Sequence, residues 1–369
     1  MQTDKNKDKI QDIALMKTLG HTRCGLGVSM GVGKTRIGIH HIIKNYDPFG
    51  RYLVVVPKNT VIESWKNEID IMDIEIDLLS QMHFVNYRSI HKLNPNDYDI
   101  VYLDECHNLL FSHEQFLGNY NGKILGLTGT PPTSKGSEKY SMVQKYCPII
   151  YKFSTDEAAD KKILNDYKII IHKLKLSQIL NYKKKSKTGG FWNTSEVKDY
   201  DYANRRYNEA VTTKQRQFSA IMRMRALMEY RTKEEYVKGI ITNVKDKCII
   251  FANTQKQADR ICNYSYHSKN PNSEDNLTLF KDGRIDKLSW VLQLSEGISI
   301  PNLRQGIIMH SYGNERKTAQ RIGRLLRLSP DQVAICHILC YENTVDEKWV
   351  SNSLKEFDQK KIEYFNPLN

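Results

Sequence analysis

The stretch GLGVSMGVGKTRIGIH, residues 25–40, decides how the fold of this chain is interpreted. It begins within a strand-like run, RCGLGV, and continues into a helix-like run, KTRIGIHHIIKNY. Between the two, Gly31 and Gly33 allow the backbone to curl so that its N–H groups point at a phosphate, at the positive end of the helix dipole. Lys34 would then reach the β- and γ-phosphates, and the Thr35 hydroxyl would hold Mg²⁺. The stretch therefore predicts a phosphate-binding loop between a strand and a helix.

One position of this loop departs from the usual pattern. The standard loop has a glycine, any four residues and then Gly-Lys-Ser/Thr, which places the first glycine at Val28. Because that glycine is missing, a plain glycine-rich turn remains an alternative for the stretch taken alone.

A pair of acids at the end of a hydrophobic run is the second element. The segment VYLDECHNL ends a strand-like run in Asp104 and Glu105. Two adjacent carboxylates at the end of a buried strand are costly unless a cation lies beside them, and Mg²⁺ bound to a phosphate supplies one. Asp104 suits Mg²⁺ binding, and Glu105 suits polarising the water that attacks a γ-phosphate. Two acids at an exposed strand end are the alternative, which the phosphate loop earlier in the chain makes improbable.

Strand-like and helix-like runs alternate along the chain. Strand-like runs lie at 51–57, 98–105 and 123–131, then at 247–252, 288–294, 305–311 and 333–341, with helix-like runs between them at 61–72 and 315–328. This order predicts an α/β fold of two tandem parallel-sheet domains, with ligands gathering at the carboxyl ends of the strands. We place the first domain at 1–155 and the second at 241–369, joined by a basic, mainly helical segment at 156–240.

The positive charge of the chain is concentrated in that connecting segment. The whole chain has a net charge of +13, and residues 161–245 contain 20 Lys and Arg against 8 Asp and Glu, a net of +12. A basic block in an otherwise nearly neutral chain predicts a surface for a polyanion. A solvated linker is the alternative for the run NYKKKSKTGG.

Composition excludes several classes of protein. No apolar run approaches the roughly 18 residues that span a bilayer, and the polar N-terminus lacks the apolar core of a secretory signal. Seven cysteines without a CxxC pair indicate a reduced protein. We therefore expect a cytoplasmic protein with no membrane partner, in the cytoplasm of a bacterial host if a phage encodes it.

A cluster of cationic and amide side chains lies in the second half of the chain. In QRIGRLLR, Gln320, Arg324 and Arg327 follow one another at helical spacing and share one face. Arginines there could simply coat an exposed helix. Opposite a nucleotide, they suit the charge that develops on a γ-phosphate during its transfer.

The ordered set of segments resembles the motifs of superfamily 2 helicases. Over about residues 25–330, the segments similar to motifs I, Ia, Ib, II, III, IV, V and VI are SMGVGKT, VVVPKNTVIESWKNEI, VNYRSI, DECH, LTGTPP, IIFANTQKQADRI, LSEGISIPN and QRIGRLLR. The LTGTPP segment and the tryptophan after VVVPK look more like the Swi/Snf-type and phage branch-migration members, and YENTVDEKWV resembles compact phage-type members. The family tolerates another small residue where Val28 stands. The resemblance implies two RecA-like domains that bind ATP between them.

The resemblance also implies roles for matching positions in an ATPase centre. The catalytic residues would be Lys34, Asp104, Glu105, Gln320, Arg324 and Arg327, with Mg²⁺ held by Thr35 and Asp104. ATP would be bound by Met30, Gly31, Val32, Gly33, Lys34, Thr35 and Arg36. The family usually has a glutamine upstream of motif I that reads adenine. The candidate here is Gln11, with an ordinary position on a helix surface as the alternative.

A nucleic-acid track is implied as well. It would be lined by Pro57, Lys58, Asn59, Thr60, Asn86, Asn253 and Thr254. Thr128 and Thr130 would couple the nucleotide state to the bound strand, and Ser295 and Gly297 would contact the backbone or link the two sites. Short polar side chains suit phosphate contacts, which carry little sequence information.

The connecting segment offers further candidates for nucleic-acid binding. Its basic residues, among them Lys183, Lys184, Lys185, Arg205 and Arg206, are predicted to contact the phosphate backbone. Phe191 and Trp192 could stack on bases, although aromatic residues at such spacing more often belong to a helix core.

Together these features predict an ATP-dependent DNA helicase or translocase that requires ATP and Mg²⁺. Its substrate would be single-stranded, forked or branched DNA, with replication or recombination proteins as possible partners. An RNA helicase and an ATP-gated nucleic-acid clamp with little unwinding are the alternatives. The retained Glu105 and paired arginines favour a motor, because a clamp could dispense with catalytic groups.

Overall fold

The structure of the protein is a computed structural model. It describes residues 2–185, 189–291, 300–311, 318, 321–322, 332–355 and 357–367. Apart from Gln332, which groups with the first part, the described residues form two compact units, one ending at Asp166 and the other beginning at Tyr167. Among the described helices, none is long and apolar enough to cross a membrane.

The first unit contains a six-stranded sheet in the order β3-β2-β4-β5-β1-β6, and its registered strand pairs are all parallel. Its strands are β1 (Arg23–Val28), β2 (Tyr52–Val56), β3 (Met82–Asn86), β4 (Ile100–Asp104), β5 (Lys123–Thr128) and β6 (Ile149–Phe153). Its helices are α1 (Gln2–Thr18), α2 (Lys34–Lys44), α3 (Asn59–Ile71), α4 (Glu114–Leu117), α5 (Glu138–Tyr146) and α6 (Thr155–Asp160).

Both faces of this sheet are covered. All residues of β2 and β4 are buried, as expected for parallel strands between two layers. One face packs Leu53, Val101 and Leu103 into a core with side chains from α4 and α5. On the other face α2 lies close to β5 and to α3, because a Cβ atom on Gly38 would lie 3.1 Å from the Leu127 side chain and 2.6 Å from the Trp65 ring. This packing fixes where the ends of β1 and β4 lie.

The second unit contains a seven-stranded sheet in the order β11-β12-β10-β13-β14-β7-β15 and a separate two-stranded hairpin, β8-β9. Its strands are β7 (Asp166–Leu174), β8 (Tyr182–Lys185), β9 (Phe191–Thr194), β10 (Cys248–Ala252), β11 (Ser265–Tyr266), β12 (Lys287–Val291), β13 (Gln305–Ile308), β14 (Val333–Tyr341) and β15 (Ile362–Phe365). Its described helices are α7 (Glu196–Asn208), α8 (Thr213–Glu229), α9 (Thr232–Asn243), α10 (Gln255–Ile261), α11 (Ser273–Lys281) and α12 (Val345–Ser353).

Two parallel-sheet α/β units confirm the fold class predicted from the sequence. The run at 23–28 and the run at 333–341 are strands with the expected bounds, β1 and β14. Most of the predicted helix at 315–328 lies outside the described residues. The three domain ranges remain a prediction, and the structure adds that the segment at 156–240 contains β7, which pairs in the second sheet, and the β8-β9 hairpin as well as helices.

A chain of partly buried hydrogen bonds crosses the second sheet. His172 Nδ1 lies 2.8 Å from the Tyr236 hydroxyl, and His172 Nε2 lies 2.9 Å from His337 Nδ1. His337 Nε2 in turn lies 3.2 Å from Gln305 Oε1. The chain is satisfied when both imidazoles are neutral, each donating from Nε2 and accepting at Nδ1. Burial lowers the pKa of both histidines to about 4, and for His172 the neighbouring His337 adds to it.

This histidine pair predicts a loss of stability at mildly acidic pH. Both groups have folded pKa values below the ordinary value of 6.5. Between pH 6.5 and 4 the unfolded chain therefore binds more protons, and the free energy of unfolding falls as the pH falls, by up to about 1.4 kcal/mol per pH unit for each histidine. Urea unfolding at several pH values gives the free energy of unfolding as a function of pH. Between pH 6.5 and 4, this free energy should fall less steeply with falling pH in the double variant His172→Gln, His337→Gln than in the wild type. Equal slopes would contradict the prediction.

Candidate active site

The phosphate loop lies where the sequence places it, between β1 and α2. Gly31 and Gly33 have φ values of 89° and 97°, in the left-handed region that favours glycine. Gly33 is the N-cap of α2, and Lys34 and Thr35 are its first two residues. The loop therefore presents backbone N–H groups at the amino end of an 11-residue helix, which is a favourable arrangement for an anion.

Gln11 supports this loop from the N-terminal helix α1. Its Nε2 atom donates a 2.7 Å hydrogen bond to the Val32 carbonyl, and the side chain is 3% exposed. A Cβ atom on Gly33 would lie only 2.4 Å from the same Nε2. The alternative of an ordinary helix-surface position for Gln11 is therefore wrong, because the residue is buried against the loop. A role in reading adenine stays a prediction.

The acidic pair stands beside the loop. Asp104 is the last residue of β4, and Glu105 follows it with a left-handed φ of 51°. Lys34 Nζ lies 3.5 Å from Glu105 Oε1, and both side chains are 11% exposed. The buried Trp65 indole donates a 2.8 Å hydrogen bond to Asp104 Oδ2. At the end of β4, Glu105 thus faces Lys34, and Asp104 is held by Trp65. Trp65 was not among the site residues predicted from the sequence.

The two carboxyl groups differ in their electrostatics. Burial, and then the neighbouring Glu105, raise the pKa of Asp104 above its ordinary value. Burial alone would also raise the pKa of Glu105. Lys34, and then His107, outweigh this effect and hold the pKa of Glu105 below its ordinary value. Glu105 is therefore the group of the pair that is held as a carboxylate, and it is the one that faces Lys34.

Residues of DECH and LTGTPP form a hydrogen-bonded group around Glu105. His107 Nδ1 lies 3.2 Å from Glu105 Oε2 and 2.8 Å from the Thr128 hydroxyl. The Thr128 hydroxyl lies 3.5 Å from Glu105 Oε2 and accepts a 3.1 Å bond from the Thr130 backbone N–H. Thr130 Oγ1 is buried without a hydrogen-bond partner among the described residues. The end of β5 is thus connected directly to Glu105.

The remaining loop residues lie in different surroundings. Val32 is fully buried. Met30 lies against Gly129, because a Cβ atom on Gly129 would lie 3.0 Å from Met30 Cγ. Arg36 Nε donates a 2.8 Å bond to Glu68 on α3, so its guanidinium is already engaged with a neighbouring helix. For Mg²⁺, the Asp104 carboxylate and the Thr35 hydroxyl are the oxygen ligands that this ion takes in proteins. The residues present fit ATP and Mg²⁺.

The candidate track residues of the first unit lie at the carboxyl ends of β2 and β3. Lys58, Asn59 and Thr60 are exposed where α3 begins. Asn86 is the last residue of β3, and its Nδ2 donates to Asn59 Oδ1. Asn86 Oδ1 is buried without a partner among the described residues. The structure therefore brings the residues of motifs Ia and Ib together, although they are separated by a helix in the sequence.

The candidates in the second unit follow β10 or lie on the elements before it. Asn253 and Thr254 follow β10, and the exposed Thr254 caps α10 by accepting a 3.1 Å bond from the Gln257 N–H. Lys183, Lys184 and Lys185 lie in β8, and Arg205 and Arg206 are exposed in the last turn of α7. Lys184 is paired with the buried Asp199, so it is less available to a ligand than Lys183. The candidates Ser295, Gly297, Gln320, Arg324 and Arg327 lie outside the described residues.

Comparisons with known proteins support an assignment for both halves of the chain. Residues 4–133 match the family model described as type III restriction enzyme, res subunit, and residues 231–329 match the model described as helicase conserved C-terminal domain. The chain is 26% identical to the DNA 3'-5' translocase XPB2 of Sulfurisphaera tokodaii over 374 residues, which cover 90% of this chain and 82% of that protein.

Similar solved structures support the fold alone. The helicase domain of Pyrococcus furiosus Hef is 14% identical with a TM-score of 0.55, covering 94% of this chain and 97% of that one. The ATP-dependent type ISP restriction-modification enzyme LlaBIII bound to DNA is 14% identical with a TM-score of 0.61. That match covers 98% of this chain and only 31% of LlaBIII. The narrower resemblance to Swi/Snf-type, branch-migration and compact phage-type members stays a prediction. The two family models and the similar translocase support a superfamily 2 helicase, and together with the site geometry they imply an ATP-hydrolysing enzyme.

Proposed function

We propose that this protein is an ATP-dependent DNA translocase or helicase that uses ATP hydrolysis to move on, or remodel, single-stranded, forked or branched DNA. The observation that carries the hydrolysis step is the contact of Lys34 with Glu105 beside Asp104. It joins a phosphate-binding lysine, a carboxylate held ionised and a second carboxylate suited to Mg²⁺ at one edge of one sheet.

The geometry supports a division of labour in this site. The loop N–H groups and Lys34 bind the phosphates, and Thr35 and Asp104 are the residues that would hold Mg²⁺. When bound, Mg²⁺ neutralises charge on the β- and γ-phosphates. Glu105 is placed to orient the attacking water. When Lys34 turns towards the phosphates, it moves away from Glu105, and the pKa of Glu105 rises because a neighbouring positive charge is lost. Glu105 is therefore a stronger base when substrate is bound.

DNA is the proposed substrate because the similar XPB2 protein is named as a DNA translocase and the alignment covers nine tenths of this chain. The surface chemistry supports the same proposal. Exposed Lys58, Asn59 and Thr60 in the first unit, and Thr254, Arg205 and Arg206 in the second, are short polar or cationic groups suited to backbone phosphates. Replication or recombination proteins remain proposed partners, and the cytoplasm the proposed location.

The test is the rate of ATP hydrolysis with no nucleic acid, single-stranded DNA, forked DNA, branched DNA and RNA. Lys34→Ala protein, purified in the same way, is assayed beside the wild type to measure contaminating ATPase activity. We expect stimulation by DNA, and displacement of a triplex-forming strand from DNA as a sign of movement. Stimulation by RNA alone would move the substrate to RNA. Stimulated hydrolysis without strand or triplex displacement would make the protein a clamp and not a motor.

A further inference from the structure

The β8-β9 hairpin has two chemically different faces. In its antiparallel register Lys184 lies opposite Trp192, whereas Lys183 lies opposite Asn193 and Lys185 opposite Phe191. Because neighbouring residues of a strand point to opposite sides, Lys183 and Phe191 share one face, as diagonal neighbours about 7–8 Å apart. Phe191 is 69% exposed. This face therefore presents a cation beside an uncovered aromatic ring.

The other face fastens the hairpin to the helices of the same unit. Lys184 forms an ion pair with Asp199 of α7, whose side chain is only 3% exposed. The Tyr182 hydroxyl donates to Glu229 of α8 at 3.3 Å, and the Tyr182 ring packs edge-on against the buried Tyr230. Because the hairpin is anchored on this face, the exposure of Phe191 is a fixed feature of the surface. Phe191 lies in a strand and is exposed, so the alternative prediction that it belongs to a helix core is wrong.

A cavity of about 610 Å³ lies at the base of this hairpin. Lys183 lines it together with Arg231, Lys256 and Arg260, and Thr254 and Glu229 contribute polar groups. Arg260 is paired with Glu234. Over residues 2–185 and 189–291, no acidic side chain forms an ion pair with the other three cations. Lys183, Arg231 and Lys256 outnumber the single carboxylate on the wall, Glu229, and this excess of positive charge suits an anion.

We propose that the cavity and the outer face of the hairpin form one accessory site for a single strand of nucleic acid. A backbone phosphate would occupy the cavity, and a neighbouring base would stack on Phe191. Lys183 joins the two parts, because it lines the cavity and shares the strand face with Phe191. Stacking on an aromatic ring beside a cationic groove is how proteins hold single strands without reading sequence. The inference rests on the proposed function, since it assumes a nucleic-acid substrate.

A phosphorylated peptide is the competing occupant. It would satisfy the cations of the cavity, but it brings no base for Phe191. The aromatic ring therefore favours the nucleic acid.

The first test is the salt dependence of oligo-dT binding, measured by fluorescence anisotropy. The double variant Lys183→Ala, Lys256→Ala should flatten the slope of log K against log salt by about 1.4, since each phosphate contact on a single strand contributes about 0.7. The matched control is Lys269→Ala, Lys348→Ala, two exposed lysines of the same unit that lie outside the cavity lining. An unchanged slope in the first variant would overturn the phosphate site. A phosphoserine peptide that binds in the cavity, combined with an unchanged slope for oligo-dT in the variant, would assign the cavity to a protein ligand. That result would also overturn the nucleic-acid site.

The second test isolates the stacked base. Phe191→Ala should weaken oligo-dT binding on the order of 10-fold, and should have no effect on an abasic oligonucleotide of the same length. Phe49→Ala, which removes a 92% exposed ring in the first unit, is the control. Equal losses on both oligonucleotides would overturn the stacking role. If DNA stimulates ATP hydrolysis but none of these variants changes binding, the hairpin site fails and the proposed function stands. If the wild type binds no oligonucleotide, both the hairpin site and the proposed function are overturned.

Discussion

Replacement of Glu105 by Gln is expected to lower the turnover number of ATP hydrolysis by on the order of 10²–10⁴-fold, the usual contribution of a general base. Glutamine keeps the size of the side chain and an oxygen that can accept from Thr128 or His107. It loses the negative charge that draws a proton from the attacking water. Single-turnover hydrolysis measures this step separately from binding and product release.

ATP binding is expected to survive the same substitution. Lys34 Nζ lies 3.5 Å from Glu105 Oε1, so the carboxylate competes with phosphate for the lysine. Removing the charge removes that competition, and titration with a fluorescent ATP analogue should give an affinity equal to or tighter than that of the wild type. Lys34→Ala should show the opposite pattern, with weakened binding, because it removes the phosphate-binding cation and leaves the buried Glu105 charge with His107 and Thr128 as its remaining partners.

The control is Glu114→Gln, which neutralises a carboxylate of the same unit whose side chain is 44% exposed and paired with Lys145 at the surface. It should leave hydrolysis unchanged. Wild-type turnover in Glu105→Gln would mean that another group activates the water, and weakened ATP binding in that variant would mean that Glu105 shapes the loop.

The parts of the site that follow from local sequence were predictable. The β-branched runs that end in Asp104 and Thr128 must be buried, and parallel strands bring their carboxyl ends to one edge. The position of the phosphate loop follows from the same rule, with Gly31 and Gly33 at the two positive φ angles. These features depend on periodicity and on glycine, which the sequence displays directly.

Contacts between distant segments were not predictable from the sequence. Gln11 reaches the Val32 carbonyl because α1 packs beside α2, and no local pattern specifies that packing. The pairing of β7 with β15 joins Ile169 to Ile362. The β-branched residues of the run DYKIIIHKL predict the strand β7, but they do not specify its neighbour in the sheet. The hydrogen bond from Trp65 to Asp104 likewise depends on how α3 packs against β4.

Lys233→Met is expected to lower the free energy of unfolding of the second unit by about 3–5 kcal/mol, the cost of leaving one charge of a buried pair alone. Lys233 is 0% exposed and pairs with Asp346, whose side chain is 2% exposed. Its ammonium group also donates 3.0 Å hydrogen bonds to the carbonyls of Met309 and Leu339. All three donor positions of the lysine are thus used, and methionine, although similar in length, can replace none of them.

The position of this pair relates it to the chain segment that carries the candidate catalytic residues of the second unit. Met309 directly follows β13, and Leu339 lies near the end of β14. The chain between these two strands carries Gln320, Arg324 and Arg327, the candidate catalytic residues of this unit. Lys233 therefore ties the carboxyl ends of β13 and β14 together, and the segment departs from the first of these two ends. We expect Lys233→Met to reduce ATP hydrolysis at temperatures well below its unfolding transition.

Urea unfolding of two further variants separates burial of a charge from loss of an ion pair as such. Lys173→Met breaks the neighbouring pair with Glu347, whose two side chains are 28% and 35% exposed, and should cost less than about 1 kcal/mol. The double variant Lys233→Met, Asp346→Leu removes both buried charges and should be more stable than Lys233→Met alone, because the uncompensated carboxylate is gone. If the double variant is less stable than the single one, the hydrogen bond from the Tyr341 N–H to Asp346 matters more than the buried charge. If Lys233→Met unfolds at the wild-type urea concentration, the pair does not hold the strand ends.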